Sequence, residues 1–159
     1  MTVMKAPRVG QEWFTCDVDE REDPVTGEST LTGRITFHTW IVVTVGTRYI
    51  TLNRRCPDTW ITRKGVAQWD PRISRHDQKK LPKQSFPRDS TWSQHPAVFS
   101  TKRLAVKGQI ARCRDQLVYW SKQANGQDFV DSLNQEIPLL QRKLDRMATS
   151  KQTGLTPPA

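Results

Sequence analysis

The run "GRITFHTWIVVTVGTRYITL", Gly33 to Leu52, constrains the fold of this chain more than any other stretch. β-Branched and aromatic residues dominate it, a composition that fits a pleated strand better than a helix. With a period of two, Phe37, Thr39, Ile41, Val43 and Val45 share one face, and His38, Trp40, Val42 and Thr44 share the other. Both faces are partly apolar, so the strand has to be covered twice, by a core on one side and by a loop or helix on the other. Gly46 stands where a tight reversal is expected to need a positive φ. Beyond it "TRYITL" resumes the alternation, with Ile50 and Leu52 pointing one way and Tyr49 and Thr51 the other. The reading is an antiparallel hairpin.

Shorter segments extend it. "GQEWFTCDV", Gly10 to Val18, reads as a strand, and "DEREDPVTGEST" after it reads as an acidic, exposed connection. "TWITRKGVAQW" reads as a further strand pair with a turn or bulge at Lys64-Gly65. Short antiparallel strands that cannot bury themselves as a flat sheet tend to close on themselves, and an SH3-like barrel is the size that fits. Residues 70–99 carry prolines and no sustained period, which predicts a long loop that is either functional or disordered.

The C-terminal third changes period. From Ser100 as N-cap, Val106, Ile110, Cys113, Leu117, Trp120 and Ala124 recur at helical spacing. After Asn125-Gly126, with Asp128 as the next N-cap, Val130, Leu133, Ile137, Leu140, Leu144 and Met147 do the same. Two matched stripes on either side of a short connection predict an antiparallel helical hairpin, kinked or broken at Pro138. The expected class is therefore α+β. A small SH3-like antiparallel β-barrel spans 1–69, and a basic Pro-rich loop spans 70–99. A helical hairpin over 100–148 packs on or beside the barrel, and 149–159 form a flexible tail.

Charge is distributed unevenly. Residues 1–47 carry four Lys/Arg against seven Asp/Glu, residues 48–114 sixteen against four, and residues 115–159 five against five. The whole excess behind the formal charge of +9 is central, and such a segment attracts polyanions, nucleic acid foremost. Arg48, Arg54, Arg55, Arg63, Lys64, Arg72, Arg75, Lys79, Lys80 and Lys83 are the phosphate-pairing candidates there, with Lys102 and Arg103 extending the field into the first helix. Tyr49, Trp60 and Trp69 lie among them as candidate rings for base stacking. The competing role for the two tryptophans is core packing.

Other chemistries find little footing. Cys16, Cys56 and Cys113 are odd in number and widely spaced, framing neither a disulfide scaffold nor a zinc site. His38, His76 and His95 stand at no metal-ligand spacing. No GxSxG elbow or glycine-rich phosphate loop occurs, so no catalytic residue, metal or cofactor is expected. His76 beside Asp77 leaves a small metal-dependent nuclease as an alternative, one that needs further ligands. The first alternative, ahead of the nuclease, is a protein that binds and modulates a host enzyme, or assembles in a virion, with the cationic face meeting an acidic protein. No apolar run approaches the roughly 20 residues needed to cross a bilayer, and the N-terminus has no apolar leader, so the expected location is the cytoplasm and no membrane contact is foreseen. The oligomeric state stays open.

At "WIVVTVGTRYITL" and "GVAQWDPR" the chain resembles small uncharacterised bacteriophage or mobile-element proteins. These pair a VxxVGRKY-like hairpin with SH3-like strands and a C-terminal helical segment. Thr47 replaces the basic residue that follows the glycine in that pattern, and the basic loop lies outside it. The resemblance implies a small phage accessory protein in the host cytoplasm and carries no activity with it.

Overall fold

The run from Gly33 belongs to a strand of 17 residues in the computed structural model, which describes residues 7–56, 58–87 and 98–152. In chain order the elements are β1 (Glu12–Glu22), β2 (Ser29–Val45), β3 (Tyr49–Arg54), β4 (Trp60–Arg63), β5 (Val66–Trp69), α1 (Arg75–Lys80), β6 (Lys83–Pro87), α2 (Lys102–Trp120) and α3 (Gln127–Gln152). The class is α+β, and the pairing is mostly antiparallel. One sheet has the order β1-β2-β3-β6, and β4-β5 form a separate pair. Two compact units result, one from residues 7–15 and 37–101, the other from 16–36 and 102–152.

In the first unit β2 is covered on both faces, as its sequence requires. Val42 packs with Trp13, Ile50, Leu52 and Val98, and Trp40 lies against that group. Ile41 packs with Trp60 and Ala67, with Val43 and Trp69 alongside. The β2-β3 ladder runs from Trp40↔Arg54 to Val45↔Ile50, and a register shift between Val42 and Thr44 makes Val43 the extra residue. Gly46 does not have the positive φ expected of it. Its need is close approach: its N–H donates to Tyr49 O at 2.8 Å, and a Cβ there would lie 2.9 Å from the same oxygen. Among the hairpin turns named from the sequence, positive φ angles are found at Lys64 (51°) and Gly65 (75°), the two-residue turn of the β4-β5 hairpin.

The described strands close no barrel, and the SH3-like expectation is not confirmed. Between the four-stranded sheet and the β4-β5 pair lies the segment around Gly10. Gly10 N–H donates to Val42 O at 2.8 Å, and Gly10 O accepts from Ala67 N–H at 3.0 Å. The turn at residues 9–10 thus bridges β2 and β5 through two backbone hydrogen bonds. Gly10 has φ of 84°, and a Cβ would meet Val66 Cγ1 at 2.5 Å and Ala67 O at 2.9 Å.

The stretch predicted as loop over 70–99 holds α1 and β6, while 88–97 lie outside the described residues. Ser74 caps α1, accepting from Asp77 N–H at 3.1 Å. β6 pairs with β3 from Tyr49↔Pro87 to Asn53↔Lys83. Four residues between Pro82 and Pro87 give a weak alternation, and only pairing with the edge of β3 makes a strand of them. Val98 and Phe99 close the unit, with Phe14 and Phe99 exchanging both backbone hydrogen bonds.

In the second unit, β1 and β2 extend past the expected strand ends, and their turn is held by Asp23 Oδ1, which accepts from Val25 and Thr26 N–H. Helices α2 and α3 pack on each other. Val106, Ile110, Cys113, Leu133 and Leu140 are buried, and the rest of both predicted stripes is half-buried apart from Ala124, which follows α2. Pro138 neither breaks nor ends α3. It removes one backbone donor from the helix, and the packed stripe on either side outweighs that loss.

Gly10→Ala is expected to cost about 2 kcal/mol or more in urea unfolding, because positive φ and overpacking act together. Gly65→Ala meets nothing within 4 Å and should lose only about 1 kcal/mol from its backbone conformation. Equal losses at both positions would contradict the bridging role of Gly10.

Candidate functional site

The last residues of β3 bring cations together with an aromatic wall. Asn53 is buried at 1% exposure and donates its Nδ2 to Pro82 O at 3.1 Å, tying the connection between α1 and β6 to the end of β3. Register then sets Lys83 opposite Asn53 and Trp40 opposite Arg54. Exposed Arg54 donates Nη2 to His38 Nδ1 at 2.6 Å, so that ring nitrogen carries the lone pair. A cleft of about 360 Å³ opens here, lined by Trp40, Asn53, Arg54, Cys56, Leu81, Pro82, Lys83 and Gln84. Arg54 also lines a second cleft, of about 450 Å³, together with Phe37, His38, Thr39 and Arg55.

The remaining predicted cations fall into separate groups. Arg48 stands in the exposed β2-β3 turn beside Tyr49, itself 58% exposed. From Tyr49 to Arg54 the strand spans about 17 Å at 3.3 Å per residue, so the two ends of β3 present distinct charges. Arg63 and Lys64 are exposed at the tip of the β4-β5 hairpin. Arg75, Lys79 and Lys80 are exposed on α1, where Lys80 Nζ lies 3.8 Å from Asp77 Oδ1. Lys102 and Arg103 are exposed on the first turn of α2 and belong to the second unit.

Two of the candidates are already engaged. Arg55 is half-buried and forms an ion pair with Glu12. Arg72 closes its guanidinium on buried Asp70, with Nε at 3.0 Å from both carboxylate oxygens and Nη2 at 2.5 Å from Oδ2. The Arg72 backbone N–H adds a third donor at 2.9 Å. These hydrogen bonds, the side-chain ones above all, hold the Asp70 carboxyl down at about 2, and Arg72 is raised in turn. The pair anchors the chain as it leaves β5, where Asp70 N–H also donates to Thr59 O. Its fork being occupied, Arg72 offers a ligand less than its exposure implies.

The stacking candidates separate too. Tyr49 is open. Trp60 is buried at 5% exposure and stacked on Trp69 with ring centroids 3.8 Å apart, so Trp60 is a core residue and Trp69 gives one face to it. Trp40, which sequence reasoning placed on a strand face and credited with nothing more, lines the cleft beside Arg54. Its cross-strand pairing with Arg54 depends on the register of β2 and β3, which no local signal carries.

Among the described residues no three His, Cys, Asp or Glu side chains gather as a metal-binding group. His76 is exposed, and Asp77 next to it accepts from Ser74 Oγ at 2.6 Å. Cys16 and Cys113 are buried thiols pushed up to about 12, by burial first and by Asp17 and Glu136 for the former, Glu136 for the latter. Cys56 is exposed. Among the described residues no helix is long and apolar enough to cross a membrane. No protein-family model, curated protein or solved structure matches the chain.

Because the folded Asp70 titrates below an ordinary carboxylate, its stabilising effect is complete above about pH 4 and is lost as pH falls through about 2. Asp70→Asn should therefore be less stable than the unsubstituted protein at neutral pH, and the gap should narrow over that acid window in urea titrations. A gap independent of pH would contradict the Asp70–Arg72 account.

Proposed function

We propose that this chain is a non-catalytic nucleic-acid-binding accessory protein whose first unit contacts phosphates from the cationic end of the β3-β6 ladder. The observation that carries the reading is that Arg54 and Lys83 both line one cleft, in which no carboxylate stands among the described lining residues. Arg63, Lys64 and the basic last turn of α1 add long-range attraction for a polyanion. Ion pairs with Glu12 and Asp70 make Arg55 and Arg72 structural members of this surface. The resemblance of the β2-β3 hairpin to bacteriophage and mobile-element proteins extends the reading to a phage-encoded protein acting in the host cytoplasm.

One observation favours a protein partner instead. At the α2-α3 connection Val118, Tyr119 and Phe129 are exposed at 59%, 56% and 52%, with Phe129 stacked on Trp120 at 4.2 Å. That apolar group is of the kind that marks protein contact, and it is compatible with a nucleic-acid contact made by the first unit.

Fluorescence anisotropy with single- and double-stranded DNA and RNA across a salt series tests the proposal. Log affinity should fall linearly with log salt, and Arg54→Glu with Lys83→Glu should lower affinity by about tenfold or more. The slope should flatten by about 1 for each cation lost. Binding indifferent to ionic strength, or stoichiometric capture of one protein from nuclease-treated lysate with no nucleic-acid affinity, would overturn it.

A further inference from the structure

The cleft beside Trp40 differs from the other cationic places on the first unit in having a rigid apolar wall. Trp40 packs against the Trp13, Val42, Ile50, Leu52 and Val98 group, and its Nε1 donates to Thr15 Oγ1 at 3.1 Å. The ring plane is thus fixed by the fold. Leu81 and Pro82 add apolar surface, and the Asn53–Pro82 hydrogen bond fixes their distance from β3. At about 360 Å³ the cleft falls within the range of small-ligand sites, roughly 300–1,000 Å³. Arg54 and Lys83 both line it, with no carboxylate among its described lining residues.

Apolar walls with two cations in the same lining select a flat, weakly polar group that carries negative charge beside it. We propose that this cleft receives the base of one unpaired nucleotide, with Trp40, Leu81 and Pro82 against the base and Arg54 and Lys83 on the flanking phosphates. The inference rests on the nucleic-acid reading above and narrows it to single strands. In a duplex each base is paired and stacked, and it reaches a side cleft only by being extruded at an energetic cost. DNA and RNA share the base and phosphate chemistry that the cleft would recognise, and the sugar decides between them.

Cys56 supplies a reporter, since its exposed thiol lines the cleft while Cys16 and Cys113 are buried. The experiment follows iodoacetamide labelling of Cys56 in the full chain by mass spectrometry. The additions are oligothymidylate, oligouridylate, an abasic deoxyribose-phosphate oligomer, duplex DNA and polyglutamate, with anisotropy measured in parallel on the nucleic acids. At least one base-bearing single strand should slow labelling by about fivefold or more, and should bind tighter than the abasic oligomer by a similar factor. Which of the two does so identifies the sugar preferred. Protein already alkylated at Cys56 should bind base-bearing and abasic oligomers alike, with unchanged salt dependence, and this comparison alters no residue of the core. If base-bearing and abasic strands bind equally and Cys56 stays unprotected, the base site is refuted while phosphate binding stands. Protection by duplex DNA or polyglutamate equal to that by single strands also refutes it. If no nucleic acid binds at all, both readings fall.

Discussion

Strand β2 presents apolar side chains on both faces, and neither face can be left to water. A fully buried Ile, Leu or Val contributes about 1.5–3 kcal/mol relative to exposure, so two covers are worth their cost in ordered chain. Trp13, Ile50, Leu52 and Val98 cover the Val42 face, and the β4-β5 hairpin with Trp60 covers the Ile41 face. The second cover needs a link to the sheet, and the backbone of Gly10 supplies it by hydrogen bonding to Val42 and Ala67 at once. The positions of β3, and of β6 on its edge, follow from the first cover. What stands at the end of that ladder, Arg54 and Lys83, is therefore placed by core packing and not by any loop preference.

The cations on this scaffold are not equivalent. Arg55 and Arg72 satisfy Glu12 and Asp70, the latter a buried carboxylate that would be costly without its partner. Arg54 is hydrogen-bonded to His38 Nδ1, and neither it nor Lys83 belongs to an ion pair among the described residues. A central excess of positive charge is thus divided between groups that hold the unit together and groups left to meet an anion. The split is set by where the few acidic residues of the first unit fall.

Local periodicity carried much of the fold. The β2-β3 hairpin, the Lys64-Gly65 reversal and both helical stripes were legible because alternation and helical spacing are written within short windows. Long-range pairing was not. The bridging by Gly10, the addition of β6 to β3 and the failure of the strands to close a barrel depend on partners far apart in sequence. Gly46 illustrates the same limit, since the sequence marks a tight reversal but not whether a glycine serves it through φ or through closeness. In the site, Arg54 was readable as a cation, yet its neighbours were not. Glu12 reaches Arg55 across 43 positions, Lys83 arrives through strand register, and Trp40 read only as one residue of a strand face. Trp60 stood between a ring for stacking and a core residue, and its burial against Trp69 decides for the core.

The central claim is that the end of the β3-β6 ladder is where nucleic acid is held. Photocrosslinking tests it directly, using a short single strand that carries a thio-substituted base and mapping the adducts by mass spectrometry. The account predicts adducts within residues 38–40, 54–56 and 81–84. Adducts confined to α2 and α3, or bound oligonucleotide that yields none in those three segments, would contradict it.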